Sequence, residues 1–392
     1  MTLDTTGGSA LISTVDPNVL LGLAIAVAVT LLLALIPVSK GNLWLTLLSF
    51  LAAVVFHGRA FPGFVIVTGI AYLAVRALDT RSNRSERWNW ACALLVALLV
   101  VFTAGRVRGW DRVAISLHSV PILVYSLDMW LLLRLVTLFW EVGSGAIAAP
   151  SPTRFVLWVC LPFTAGGPLL RFSEMPATVQ PDRQLWKSAG WWREAGAASA
   201  TFLAGMGLEF GQEAIATRWP NARLMRNVIG TFFTGPFGFY LSTAGYFHLM
   251  EVLARPSGLK LPPSFNFPFG RENISAFWMN WNMTATFVFR DYLFYNRWGR
   301  ATFNIYFNTM VLFTLVGLWH AANMYWILWG FLHGLLFCTY LLWRKYGARM
   351  GPWPLQGTRA SRMAAQALTY FSVCMCWYLP SKIIQKLPGI AF

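Results

Sequence analysis

Charge is scarce in this chain of 392 residues: Asp, Glu, Lys and Arg together make up 12%, and only fifteen residues are acidic. Soluble domains carry about 25% charged residues, so a water-soluble globular protein is excluded. No long polar segment separates the apolar runs, which leaves no room for a separate soluble domain. Cysteine is also rare. The five present, Cys92, Cys160, Cys338, Cys374 and Cys376, mostly sit inside apolar runs without paired metal spacing. Neither a zinc site nor a disulfide framework is indicated, and they read as packing residues.

What is abundant is apolar. Hydrophobic residues reach 57% and mean hydropathy is +0.53, against about 45–50% apolar residues in soluble domains. Apolar runs fall at Pro17–Val38, Leu43–Phe56, Phe61–Leu78, Trp88–Ala104, Val113–Trp140, Phe155–Leu170, Ala195–Ala216, Val228–Leu253, Ala301–Leu318, Met324–Trp343 and Met363–Leu379. At about 20 residues per span, they predict an all-α polytopic membrane protein of roughly ten helices. It forms one membrane domain over residues 1–392, with 1–16 as a short polar tail. The first run is too long for a signal-peptide core and is expected to stay as a span. Asp4 and Asp16 before it, with Lys40 after it, point the N-terminus outward. Runs that are short or polar predict tilted, re-entrant or buried helices, because broken backbone at membrane depth must be satisfied by protein.

Thirty-one Lys and Arg give a net charge of +16. They are spread over short connections such as Arg76–Arg87 and Arg106–Arg112, as expected for cytoplasmic loops and lipid headgroups. This argues against nucleic acid and for membrane lipids as partners.

Three polar stretches stand apart. Arg171–Trp192, with Glu174, Asp182, Trp186 and Lys187, reads as a loop or an interfacial helix. Arg255–Arg271 has four prolines and two glycines and predicts a structured, non-helical loop. Glu272–Arg300 combines Trp278, Trp281, Trp298, Asn280, Asn282, Arg290, Asp291, Asn296, Arg297 and Arg300, a polar load suited to the wall of a wet cavity.

Two of the five histidines, His320 and His333, lie in one apolar stretch. On one unbroken helix their spacing would turn them about 140° apart, so they cannot share a metal, and no metal site is expected. His333, between Leu332 and Gly334, reads as a packed residue. His320 is different, because Gly317, Trp319, Asn323 and Tyr325 crowd it with polar or flexible groups. An uncharged imidazole held there can accept a proton.

Read in order, these elements resemble the membrane-bound O-acyltransferase family. The family's "PxNFNxP"-like loop matches Pro263–Pro268, its "FWxxWH" or "FWxxWN" element matches Phe277–Asn282, and its "RDY" matches Arg290–Tyr292. Its "GLWHGAxWxxxxWGxxHG" pattern matches Gly317–Gly334, and its "AGPIxR" element matches "FTAGGPLLRF", Phe163–Phe172. The likeness covers a core of about 155–343; the preceding part shares only hydropathy. It implies a helical bundle around a central tunnel, with His320 as catalytic general base taking the acceptor proton. It also implies that Asn282, where many bacterial members have histidine, hydrogen-bonds the thioester carbonyl or orients a substrate. Trp281, Asn323, Tyr325, Arg290 and Asp291 are expected to contact substrate, with ion pairing as the structural alternative for Arg290 and Asp291. Ala321, in place of the family's glycine, adds a methyl beside His320.

The implied reaction moves a short acyl group, acetyl or D-alanyl, to hydroxyls of a cell-envelope glycan or lipid. The donor would be an acyl-CoA or acyl-carrier-protein thioester, with no permanently bound cofactor, and a periplasmic partner completes the transfer. The expected location is the bacterial cytoplasmic (inner) membrane. Asn282 keeps open a long-chain lipid or protein acyltransferase. Outside the family, the alternatives are a proton-coupled transporter and a structural assembly subunit.

Overall fold

The computed structural model describes residues 17–35, 41–108, 114–117, 120–123, 128–164, 166–218, 230, 232–294, 304–347 and 358–386. Asp4, Asp16 and Lys40, used above to orient the N-terminus, lie outside these residues, as do Arg112, Asn296, Arg297, Trp298 and Arg300. Two compact units are present. The first holds Pro17–Ala197 with Leu249–Pro262, and the second holds Ala198–His248 with Pro263 onward.

The first unit contains α1 (Pro17–Leu35), α2 (Gly41–His57), α3 (Phe61–Asp79), α4 (Arg84–Arg108), an antiparallel hairpin of β1 (Ala114–Leu117) and β2 (Val120–Leu123), α5 (Met129–Ser144) and α6 (Pro152–Cys160). At its heart is α5, whose residues from Leu131 to Gly143 are all buried. A helix that buries side chains on every face belongs in an interior, and "MWLLLRLVTLFWEVGS" is such a helix. Both α3 and α4 pack on it, and Trp88 meets Trp140 edge-on at 4.8 Å. Outside, α1 to α4 carry large exposed apolar side chains, among them Leu35, Ile70, Leu73 and Val100. Such a belt is a liability in water and the natural surface against lipid. Four stretches, Asn18–Leu35, Gly41–Asp79, Arg84–Gly105 and Met324–Tyr346, are long and apolar enough to cross a membrane. Length and composition thus support four spans among the described residues, with the shorter apolar helix Ile305–His320 beside them.

The run Val113–Trp140, read above as one span, is instead the hairpin followed by α5. A short apolar run suits a strand as well as a helix, and Asp128 marks the change. Its carboxylate accepts from the Trp130 and Leu131 amides at 2.8 Å each, which starts α5 there. In Phe155–Leu170 the helix α6 is only nine residues long. It stops before Pro162, whose ring and missing N–H do not continue a helix. Between α6 and α7 (Ala189–Arg218), Arg171–Trp192 is largely loop, with short 3-10 turns at Phe172–Glu174 and Leu185–Lys187.

In the second unit the remainder of α7 and α8 (Gly235–Ala254), the latter as far as His248, are tied by Ser242 donating to Glu209 at 2.8 Å and Gln212 donating to Thr234 at 2.9 Å. The proline-rich loop is non-helical, as expected, apart from 3-10 turns at Arg255–Ser257 and Pro268–Gly270. It leads into α9 (Ile274–Trp278), α10 (Met283–Val288) and a π-helical turn at Phe289–Phe294. Then come α11 (Ile305–His320), α12 (Met324–Tyr346) and α13 (Arg359–Lys386).

The α11–α12 pair explains the glycines of the His320 motif. A Cβ on Gly317 would strike the Trp326 carbonyl oxygen, and one on Gly330 would strike that of Phe313. The two helices therefore touch backbone to backbone, a close approach that small residues allow and that stabilises helix pairs in lipid through van der Waals contact.

Candidate active site

His320 is the last residue of α11. Beyond it Ala321 turns to extended backbone (φ −162°) and Asn323 caps α12 by accepting from the Trp326 amide at 3.1 Å. The pair is therefore not one helix, and the premise behind the 140° separation of the histidines fails. The helix breaks because the asparagine side chain, a strong N-cap, starts a new one. The break frees the His320 side chain, half-buried, to stack on Trp326 at 4.5 Å between ring centroids, with Trp319 at 4.7 Å and Trp329 edge-on at 5.4 Å.

His333 lies on α12, fully buried against Trp329 at 4.5 Å and Trp278 at 5.1 Å. It is a packed residue, as read from the sequence.

Asn282 comes from the other direction. It precedes α10 with left-handed backbone (φ 40°), a conformation asparagine tolerates better than most residues. The preceding proline loop holds this turn in place, since the Asn266 amide donates to the Asn280 carbonyl at 3.0 Å and the Met283 amide to that of Ser264 at 2.7 Å. Behind it Trp281 is buried among rings, stacked on Phe277 at 5.4 Å and edge-on to Phe265 at 5.5 Å.

Both residues line one cavity of about 280 Å³. Three helical faces wall it. From the Asn282 turn come Trp281, Asn282, Ala285, Thr286, Phe289 and Arg290; from α11, Ile305, Thr309, Leu312, Val316 and His320; from α12, Phe337, Tyr340, Leu341 and Arg344. Each set recurs at three- and four-residue steps, the spacing of one helix face. The sixteen residues of α11 make it about 24 Å long, so the lining runs nearly its whole length, from Ile305 to His320. At the far end from His320 stands the exposed Arg344.

The remaining expected site residues divide. Trp281 and Arg290 line the cavity with His320 and Asn282. Asp291 does not; it accepts from Arg290 Nε at 2.6 Å. The two charges pair with each other, while the Arg290 guanidinium also lies 4.6 Å over Phe287. Asn323 and Tyr325 do not line the cavity. Asn323 caps α12, and the Tyr325 hydroxyl donates to the Trp377 carbonyl of α13 at 3.0 Å. Their nearness to His320 in sequence is spent on starting and anchoring α12. Ala321 is not in the lining either, and its extended backbone suits any residue. Arg171 forms a local ion pair with Glu174 at 2.7 Å. Sequence reasoning missed Tyr340 and Arg344; the step from Phe337 through Leu341 to Arg344 was the available signal, one α12 face ending in a cation.

The chain is similar to the teichoic acid D-alanyltransferase of Bacillus subtilis (strain 168), 32% identical over 152 residues that make up 36% of this chain and 37% of that protein. It is also similar to the probable alginate O-acetylase AlgI of Pseudomonas aeruginosa, 34% identical over 98 residues, or 24% of this chain and 19% of that one. A third relative is the peptidoglycan O-acetyltransferase of Helicobacter pylori, 32% identical over 101 residues, or 25% and 19% of the two chains. The resemblance to the membrane-bound O-acyltransferases of the bacterial envelope holds. Every one of these relatives is named as an acyl-transferring enzyme, and this chain spans about two fifths of their length or less. No family model matches the chain. The four apolar stretches and the membrane-bound O-acyltransferase relatives together make this an integral membrane protein.

Proposed function

We propose that the protein is an acyltransferase that moves a short acyl group, acetyl or D-alanyl, from a thioester to a hydroxyl of a cell-envelope polymer. The observation that carries this reading is that His320 and Asn282, far apart in sequence, line one cavity. The half-buried imidazole takes the proton from the acceptor hydroxyl as its oxygen attacks the acyl carbon, which contributes about 10²–10⁴-fold in rate. Asn282 has an amide N–H₂ to offer the thioester carbonyl as negative charge develops on its oxygen. The thiolate then leaves and the proton held by His320 neutralises it.

The elongated lining supports a donor that is long and thin. A pantetheine arm of CoA or of a carrier protein threads such a space, its phosphate near Arg344 and its thioester near His320. The acceptors named in the relatives, teichoic acid, alginate and peptidoglycan, support an envelope glycan here. The location we assign is the bacterial cytoplasmic membrane, with a periplasmic partner delivering the acyl group onward.

Purified protein given acetyl- and D-alanyl-thioesters should release free thiol in a His320-dependent manner in the presence of an envelope glycan. The mostly apolar walls, Leu312, Phe313, Val316, Phe337 and Leu341, favour one competing reading, a long-chain donor. Turnover of palmitoyl-CoA with none of the acetyl thioester would replace our proposal by that one.

A further inference from the structure

The first unit has a second, smaller cavity, independent of the reading above. It is lined by Arg134, Asp128, His57, Thr164 and Cys160, with apolar walls that include Ile25 and Ala53. Arg134 sits in the middle of α5 and is 4% exposed. Its Nη1 donates to the Val159 carbonyl at 3.3 Å, and its guanidinium lies 4.7 Å over the Trp158 ring. Nε and Nη2 are buried and make no hydrogen bond to any described residue. These two nitrogens form the side-on fork that grips a planar oxyanion through both of its oxygens. Asp128 acts on Arg134 through space, but one of its oxygens is spent capping α5 and it makes no hydrogen bond to the fork among the described residues. A buried guanidinium with two nitrogens that have no partner among the described residues is costly, and the fork is available to a ligand.

We propose that this cavity binds a small monocarboxylate of acetate size, held side-on by Arg134 with its aliphatic end against Ala53. Its volume of about 30 Å³ restricts the ligand to one of a few heavy atoms. A phosphate dianion is disfavoured relative to a monocarboxylate by its bulk and because the Asp128 carboxylate beside it repels two charges more strongly than one. The imidazole of His57, stacked on Phe64 at 4.2 Å, closes another side.

Thermal unfolding of the full chain in detergent, followed by fluorescence of its twenty tryptophans, tests this. At constant ionic strength, sodium acetate should raise Tm saturably by about 2 °C or more, as ligand binding to the native state requires, while chloride and phosphate should not. Arg134→Met should erase the response. Ala53→Leu, which fills the cavity and keeps the arginine, should erase it as well and decides the matter if the first variant does not fold. The site is refuted if acetate gives no saturable shift in the unaltered protein, if phosphate gives an equal one, or if either folded variant keeps the full acetate response.

Discussion

His320 and Arg134 each pack against tryptophan, yet one faces a room of about 280 Å³ and the other a room of about 30 Å³. Their places on the helix account for much of this. At the end of α11 the backbone turns away, so His320 has space on the side where a further helical turn would have stood. In the middle of α5, Arg134 is closed in on all sides by a helix that is buried from Leu131 to Gly143. A helix end can admit a reactant of size, whereas a helix centre admits only what fits between packed side chains.

The sharpest way to break this contrast is His320→Ala. It should lower transfer by about 10²–10⁴-fold with normal membrane insertion, measured as thioester turnover, while His333→Ala should cost far less; a larger loss from His333→Ala would mean the wrong histidine has been assigned. Next in size, Asn282→Ala should lower turnover by less than His320→Ala, within the about 10²–10³-fold seen when one oxyanion donor is removed. Asn282→His refines it: retained activity means the amide stands in for the histidine that the family resemblance leads one to expect there, and complete loss means amide geometry is required.

Stability effects come below these. Gly330→Val forces a side chain against the Phe313 carbonyl and should cost about 1–3 kcal/mol by overpacking, seen as a lowered Tm. Gly207→Ala, on an open face of α7 with nothing within 4 Å, should leave Tm unchanged or slightly raised. Smallest of the losses, Asn323→Ala removes the α12 cap and should cost about 1 kcal/mol while leaving the cavity lining in place; a catalytic collapse in that variant would restore Asn323 to the substrate contacts.

Most helices could be read from hydropathy, because a lipid-facing helix must be apolar along its whole length; α2, α3, α4 and α12 lie within a few residues of their apolar runs. The hairpin before α5 could not, since four-residue apolar strands carry no periodicity that separates them from helix. In the site, His320, Asn282, Trp281 and Arg290 were identified by motif and do line the cavity. Asn323 and Tyr325 lie outside the lining for a physical reason: residues past a helix end point wherever the next helix starts, and here α12 turns both toward structural bonds. Tyr340 and Arg344 were passed over because a cation at the end of an apolar helix reads as an interfacial anchor.

By itself the sequence determined that the chain is a helical membrane protein, where α9, α11 and α12 begin through their asparagine caps, and which motifs it shares with envelope acyltransferases. Only the tertiary structure decided that Asn282 and His320 share a cavity, because that depends on the glycine-mediated crossing of α11 and α12 and on the loop hydrogen bonds that pin the Asn282 turn. The burial of Arg134, with two nitrogens unpartnered among the described residues, was likewise decided there, since helix period gives a side chain's direction but the packing of neighbouring helices sets what room is left in front of it.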